Sequence, residues 1–212
     1  MQVKHEWRKK EKVIYLPKNC PEIIDVPSFK FITIKGEGSP AESSFANSVS
    51  ALYSLAYTIK MMPKKMDTPP NGYFDFTVYP LEGVWDINDE AKANFTGVIS
   101  KDDFVYKLMI RQPDFVNESF FKEMLDIAME KKKSPLLEQL YFEQSSEGLC
   151  VQMLHLGPFE DEPESFKVME EFAKSENLIR ISKAHREVYL SDTRKVAPEK
   201  LKTVLRFQAK RS

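Results

Sequence analysis

Two rhythms of apolar residues alternate along this chain. Over residues 22–34, Ile23, Ile24, Val26, Phe29, Phe31, Ile32 and Ile34 are β-rich and interrupted by Pro27, which predicts extended chain ending at the Gly36-Glu37-Gly38-Ser39-Pro40 turn. Steps of three and four residues then take over. Phe45, Val49, Leu52, Ala56 and Ile59 mark one face of an amphipathic helix of about 15 residues, with Ser43 or Ser44 placed to cap it. Residues 73–79 alternate strictly, Phe74, Phe76 and Val78 against Asp75, Thr77 and Tyr79, which predicts a strand closed by Pro80-Leu81-Glu82-Gly83-Val84-Trp85. A polar loop to Asp103 and a strand over residues 104–111, stopped by Pro113, complete a long-looped hairpin.

Phe120, Met124 and Ile127 predict a second helix through Lys131, and residues 141–143 with 149–154 predict a short hairpin. The opening pattern then returns. Gly157-Pro158 leads through an acidic stretch to a helix carrying Phe166, Met169 and Phe172, then to strands over residues 186–190 and 201–207. Gly36 and Gly157 lie 121 positions apart, and the same offset carries Ser44-Phe45 onto Ser165-Phe166. Lys107-Leu108-Met109-Ile110-Arg111 aligns with Lys202-Thr203-Val204-Leu205-Arg206 at 95, which leaves 26 extra residues in the first copy. One strand-helix-strand-strand unit is too small to bury its helix alone, so the expectation is an α+β fold of two such repeats related by a pseudo-twofold. Antiparallel sheets would carry helices on one face and a ligand cleft on the other. The expected divisions are an N-terminal extension (1–21), a first repeat (22–115), a linking helix (116–140) and a second repeat (141–208).

Composition narrows the function. Lys+Arg 31 against Asp+Glu 32 gives a net charge of −1, which lacks the electrostatic footprint of a nucleic-acid binder. Apolar residues at 42% and charged residues at 30% are those of a globular protein. Cys20 and Cys150 form neither a disulfide framework nor a CxxC motif, which fits a reducing, cytoplasmic setting. No apolar run follows the basic residues of the N-terminus, so no secretory signal is expected, and no apolar stretch approaches the roughly 18 residues of a membrane span. His5, His155 and His185 lack metal-ligand spacing, and there is no GxSxG, P-loop or complete dinucleotide fingerprint. Neither a metal nor a cofactor is expected. The acidic run of residues 160–164 and Lys131-Lys132-Lys133 read as complements to helix dipoles.

Several stretches together resemble the GyrI-like (gyrase-inhibitor-like) small-molecule-binding superfamily, over roughly residues 22–208. They are Glu22-Ile23-Ile24-Asp25-Val26-Pro27, the Gly36–Pro40 turn, Pro80-Leu81-Glu82-Gly83-Val84-Trp85, Met109-Ile110-Arg111-Gln112-Pro113-Asp114-Phe115, Arg186-Glu187-Val188-Tyr189-Leu190-Ser191-Asp192 and Ala197-Pro198-Glu199-Lys200-Leu201. About 20 residues precede the first strand, too few for the helix-turn-helix half of the regulators that carry this module. The resemblance therefore points to the stand-alone branch, which includes hydrolases of cyclopropanoid DNA-alkylating toxins. It implies that Glu187 matches a carboxylate of the family's ligand pocket. Asp86 after Trp85 departs from a pattern that favours a second aromatic residue there.

Strand alternation suggests that Val188, like Val78, faces the helices and turns Glu187, Tyr189 and Tyr79 to an uncovered face. Glu187 is the candidate general base, poised in an apolar cleft to take a proton from water, although a solvated strand charge is the plainer reading. Tyr79 or Tyr189, supported by Tyr106, would hydrogen-bond a ligand carbonyl. Trp85, Tyr106 and Tyr73 would wall the cleft, where core packing is the commoner role for strand aromatics, and Glu82 is a secondary ligand contact. The expected partner is a flat hydrophobic small molecule. The chemistry expected is hydrolysis of a strained cyclopropane, giving cellular protection. A non-catalytic drug-binding or sequestering module, or a gyrase-modulating protein, is the alternative.

Overall fold

The computed structural model describes residues 4–212, with six α-helices and nine strands. In chain order these are α1 (Trp7–Lys10), α2 (Lys12–Tyr15), β1 (Glu22–Val26), β2 (Phe29–Glu37), α3 (Ser43–Met61), β3 (Leu81–Ile87), α4 (Asp89–Ala93), β4 (Phe104–Gln112), α5 (Glu118–Lys131), β5 (Tyr141–Ser145), β6 (Gly148–Leu156), α6 (Glu162–Ser175), β7 (Leu178–Arg180), β8 (His185–Tyr189) and β9 (Lys202–Arg211). All strand pairings between these elements described below are antiparallel, so the fold class is α+β as the sequence predicts. The chain divides into two compact units. No helix among the described residues is long and apolar enough to cross a membrane.

The first unit comprises the residues through Trp7, Phe29–Leu81 and Ile87–Ser145. Its strands run β4-β2-β5, with Ile32 opposite both Ile110 and Phe142. Leu52, Leu55 and Ile59 of α3 are fully buried beside Ile32, Ile34, Leu108 and Ile110 of the strands that α3 packs on. Each such side chain contributes about 1.5–3 kcal/mol by leaving water. Helix α3 begins one residue earlier than a serine cap would require: Glu42 is its N-cap, and Ser43 is already helical. Asn117 caps α5 through its side chain, accepting from the Phe120 amide at 2.9 Å.

Residues 73–79 do not form the predicted strand. This segment has a single parallel bridge, His5 to Phe76, with the His5 amide donating to the Asp75 carbonyl and the Thr77 amide to the His5 carbonyl. Its alternation reflects side-chain packing instead: Phe74 and Phe76 meet the Phe115 ring edge-on at 5.6 and 6.0 Å. The strand of this region is β3, where the sequence suggested only a closing turn. Residues 141–143 and 149–154 likewise do not pair as a hairpin, because β5 joins β2 whereas β6 joins β1 and β9.

The second unit comprises Arg8–Ser28, Glu82–Asp86 and Ser146–Ser212. Its strand order is β1-β6-β9-β8-β3, and β7 pairs with the far end of β9. Gly157 adopts φ 129° after β6, a conformation that glycine takes without steric cost. Helix α6 follows, with Pro163 in its first turn, where a missing N–H costs nothing. Met169 and Ala173 of α6 pack on Val151, Met153, Leu205 and Phe207.

Both faces of this sheet are covered, and they differ in kind. On the face opposite α6, Arg186 pairs with Glu82 at 2.6 Å and with Glu147 at 3.0 Å, and Arg206 pairs with Glu147 at 2.9 Å and donates to Gln152. The N-terminal segment closes this network. Gln152 and Arg206 donate to the carbonyls of Val13 and Ile14, and the buried Tyr15 hydroxyl lies 3.4 Å from Glu82. Buried charges persist only when paired in this way.

Candidate functional site

Strand register decides which side chains share a face. Across β3 and β8, Gly83 lies opposite Glu187 and Trp85 opposite His185, while Glu82 lies opposite Val188. Across β8 and β9, Glu187 lies opposite Leu205 and Tyr189 opposite Thr203. Leu205 belongs to the core under α6, so Trp85, His185, Glu187 and Tyr189 stand on the helix-covered face. The expected facing of Val188 is therefore reversed. Val188 shares its face with the arginine network, and Glu187 shares its face with α6.

Glu187 is 8% exposed and is held from several sides. His185 Nε2 lies 3.1 Å from its Oε1, and the Tyr189 hydroxyl hydrogen-bonds to it. The Trp85 indole N–H donates to the Tyr189 oxygen at 2.7 Å. Desolvation first, and then the Glu187 charge, push the Tyr189 phenol well above its ordinary range. Phe159 meets the Tyr189 ring edge-on at 6.1 Å, and Phe166 meets His185 at 4.6 Å. A carboxylate ringed by Trp85, Tyr189, His185, Phe159 and Phe166 is a polar anchor in an aromatic setting.

Glu162, from the first turn of α6, completes the group. It is 7% exposed and lies within hydrogen-bond range of Glu187. One ligand atom each from Glu162, His185 and Glu187 falls within 4.8 Å of the others, the one grouping of its kind among the described residues, so a proton or a cation held on this face would be met here. Two like charges about 5 Å apart repel by roughly 3 kcal/mol even at an effective dielectric of 20. Burial first, and then Glu187, push the Glu162 carboxyl up to about 10.

Of the residues singled out from sequence, Glu187, Tyr189 and Trp85 are brought together. Glu82 is not with them. It is 2% exposed on the opposite face and its charge is taken by Arg186, so it is a structural ion-pair partner and not a loop contact for ligand. Tyr79, Tyr106 and Tyr73 belong to the first unit. There the Tyr79 ring lies under the Arg111 guanidinium at 4.6 Å, and its hydroxyl is 3.4 Å from His5. Tyr106 packs edge-on to Phe45 at 5.2 Å over Gly36, where any Cβ would strike its ring. Tyr73 meets Phe115 edge-on at 5.4 Å. Each tyrosine thus has a packing role. A hollow of about 260 Å³ in the same unit, lined by Phe95, Val98, Ile99, Glu90 and Asp103 among others, gathers no convergent set of reactive groups.

Three contributors lay outside the sequence reading. Glu162 was legible in principle: with Phe166, Met169 and Ala173 it follows the inward stripe of α6, although the acidic run around it reads as a helix-dipole device. His185 is brought beside Glu187 by two-residue strand spacing. Gly83 clears the space in which Trp85 and Tyr189 meet, since a Cβ there would stand 2.7 Å from the indole nitrogen and 3.0 Å from the Tyr189 oxygen.

Residues 20–210 match the family model of the GyrI-like small molecule binding domain. Among solved structures, a hydrolase from Listeria innocua is 36% identical, with a TM-score of 0.87 over 98% of this chain and 100% of that one. An uncharacterized conserved protein from Listeria innocua is 37% identical, with a TM-score of 0.88 over the same shares. The C-terminal domain of EcmrR shares the fold at a TM-score of 0.51 and 11% identity, over 91% of this chain and 98% of that one. No curated protein matches the chain.

Proposed function

This chain belongs to the family of GyrI-like small molecule binding domains, and from that premise we propose that it is a hydrolase adding water to the strained cyclopropane of hydrophobic cyclopropanoid alkylators, thereby protecting the cell. The observation that carries this reading is Glu187: a buried carboxylate held by His185 and Tyr189 and surrounded by aromatic rings. The similar Listeria innocua protein described as a hydrolase supports the reaction class.

In the proposed step Glu187 takes a proton from water as the water oxygen bonds to the electrophilic methylene. The ring carbon–carbon bond breaks, and its electron pair moves through the dienone to the carbonyl oxygen, which becomes a phenolate. Once Glu187 carries the proton, the Tyr189 O–H is released to turn toward that oxygen, while Trp85 keeps the Tyr189 oxygen in place. The phenolate then takes a proton, so water is consumed and no oxidant or reductant enters. Trp85, Phe159 and Phe166 orient a planar ligand by stacking.

The test is incubation of the purified protein with a spirocyclopropyl-dienone alkylator, followed by mass spectrometry for the ring-opened water adduct. Catalytic turnover that Glu187→Gln abolishes is the expected result. Binding with no adduct above the protein-free rate would overturn the hydrolase reading and leave a sequestering module, with Glu187 as counter-ion to a cationic ligand.

A further inference from the structure

The water-addition mechanism leaves one buried acid without a task. Glu162 enters the site from α6 with its Oε1 atom meeting no hydrogen-bond partner, although the residue is 93% buried. It faces Glu187, His185 and Tyr189 from β8, and Glu160 from the turn before its own helix. Among the described residues no arginine or lysine is paired with it. The buried arginines of this sheet, Arg186 and Arg206, stand on the opposite face and pair with Glu82 and Glu147.

Two carboxyl groups this close and this buried require something positive between them. A divalent cation and a proton both meet that need, and the hydrogen bonds decide between them. His185 Nε2 already contacts Glu187 Oε1 directly at 3.1 Å, an approach that a metal ion bound by both groups would have to open. The Tyr189 hydroxyl, an uncharged donor, occupies Glu187 as well. What remains unmet is the Oε1 atom of Glu162.

We propose that Glu162 is held as the uncharged carboxylic acid and donates its proton in a hydrogen bond to Glu187, making it the positioning residue of the proposed base. Its role rests on the hydrolase reading for its consequence, but not for its geometry. The acid keeps the pair singly charged and fixes the rotamer of the Glu187 carboxylate, so that one face of that group stays directed at water. During turnover the pair passes from one proton to two as water loses its proton to Glu187, and back to one as the phenolate takes a proton. The raised proton affinity of Glu162, caused by burial first and Glu187 second, agrees with this assignment.

The experiment is infrared spectroscopy of the intact protein near neutral pH, in water and in D2O. It reads the carbonyl stretch of a protonated carboxylic acid, which lies above the amide band and shifts down on deuteration. The wild type is expected to show this stretch, and Glu162→Gln to lose it. Absence of the stretch in the wild type, or its survival in Glu162→Gln, overturns the proposal. So does a protein that purifies with a stoichiometric, chelator-removable divalent ion. Turnover adds a second readout. Glu162→Gln retains an N–H donor and should lose less turnover than Glu162→Leu, which should lose roughly tenfold to a hundredfold. Equal losses in the two variants would show a structural role only and overturn the positioning assignment. If the stretch behaves as expected while no alkylator is hydrolysed, the shared proton stands and the hydrolase reading alone falls.

Discussion

The indole N–H of Trp85 meets the hydroxyl oxygen of Tyr189 at 2.7 Å directly over Gly83, the residue registered opposite Glu187. A ring, a phenol and a base are thus joined across two strands by a contact that only a residue without a side chain permits. Gly83→Ala would place a methyl group 2.7 Å from the indole nitrogen. It is expected to cost about 1–3 kcal/mol of stability by overpacking and to remove ligand binding at the same time. Chemical denaturation and ligand titration of the variant check both effects, and unchanged ligand affinity would contradict this role for Gly83.

Trp85→Phe keeps the ring and deletes the donor. The Tyr189 oxygen then loses a partner it has in the wild type, at an expected cost of about 1–3 kcal/mol. Turnover should fall more than ligand affinity, because stacking survives while the Tyr189 oxygen loses the donor that holds it in place. Separate measurement of Kd and kcat decides the point.

Glu162→Gln has a pH signature in stability. The carboxyl titrates near 4.5 when solvated and at about 10 in the folded protein. A raised folded value means that this group's contribution to stability is complete below about pH 4.5 and is lost as pH climbs toward 10. Glutamine does not titrate. The variant should therefore match the wild type in acid and exceed it increasingly toward alkaline pH, with each kcal/mol appearing as about 2–4 °C in Tm. A Tm difference that stays constant across this window would contradict a protonated Glu162.

Arg206→Met removes one member of a buried network, leaving Gln152 Oε1 without its donor and Glu147 with Arg186 as its remaining partner. Loss of a single partner from such a pair costs about 3–5 kcal/mol. Thermal unfolding should show a drop on the order of 10 °C.

The two thiols should differ sharply in reactivity. Cys20 is exposed, whereas Cys150 is buried and its thiol is pushed up to about 12, chiefly by desolvation. Treatment of the native protein with iodoacetamide should label Cys20 alone, as read by peptide mass spectrometry; labelling of Cys150 without denaturant would show that β6 opens.

Much of the architecture was legible because α3, α5 and α6 carry clean three- and four-residue periodicity and because β4, β8 and β9 are bounded by proline and polar turns. Within the candidate site, strand spacing puts Glu187 and Tyr189 on one face, whereas the sequence placed Trp85 only in a closing turn and β3 brings it to them. The identity of that face was not legible. Alternation distinguishes two sides of a strand, and here both sides are buried, one by α6 and the other by the segment around Tyr15 with its paired arginines. Nothing in the pattern of β8 says which cover is the helix. Residues 73–79 misled for a related reason: aromatic packing produces the same period of two as a β-ladder.

The closure of the arginine network by Ile14 also sets an order in time. The Arg206 side chain reaches a carbonyl 192 residues earlier in the chain. At ordinary rates of synthesis those residues take roughly 10–40 s to be added. Strand β1 and the segment around Tyr15 are made well before their partners β6 and β9. The unit that carries Glu187 is therefore a late product of high contact order, and the nascent chain must keep Ile23, Ile24 and Val26 from pairing elsewhere until β6 emerges.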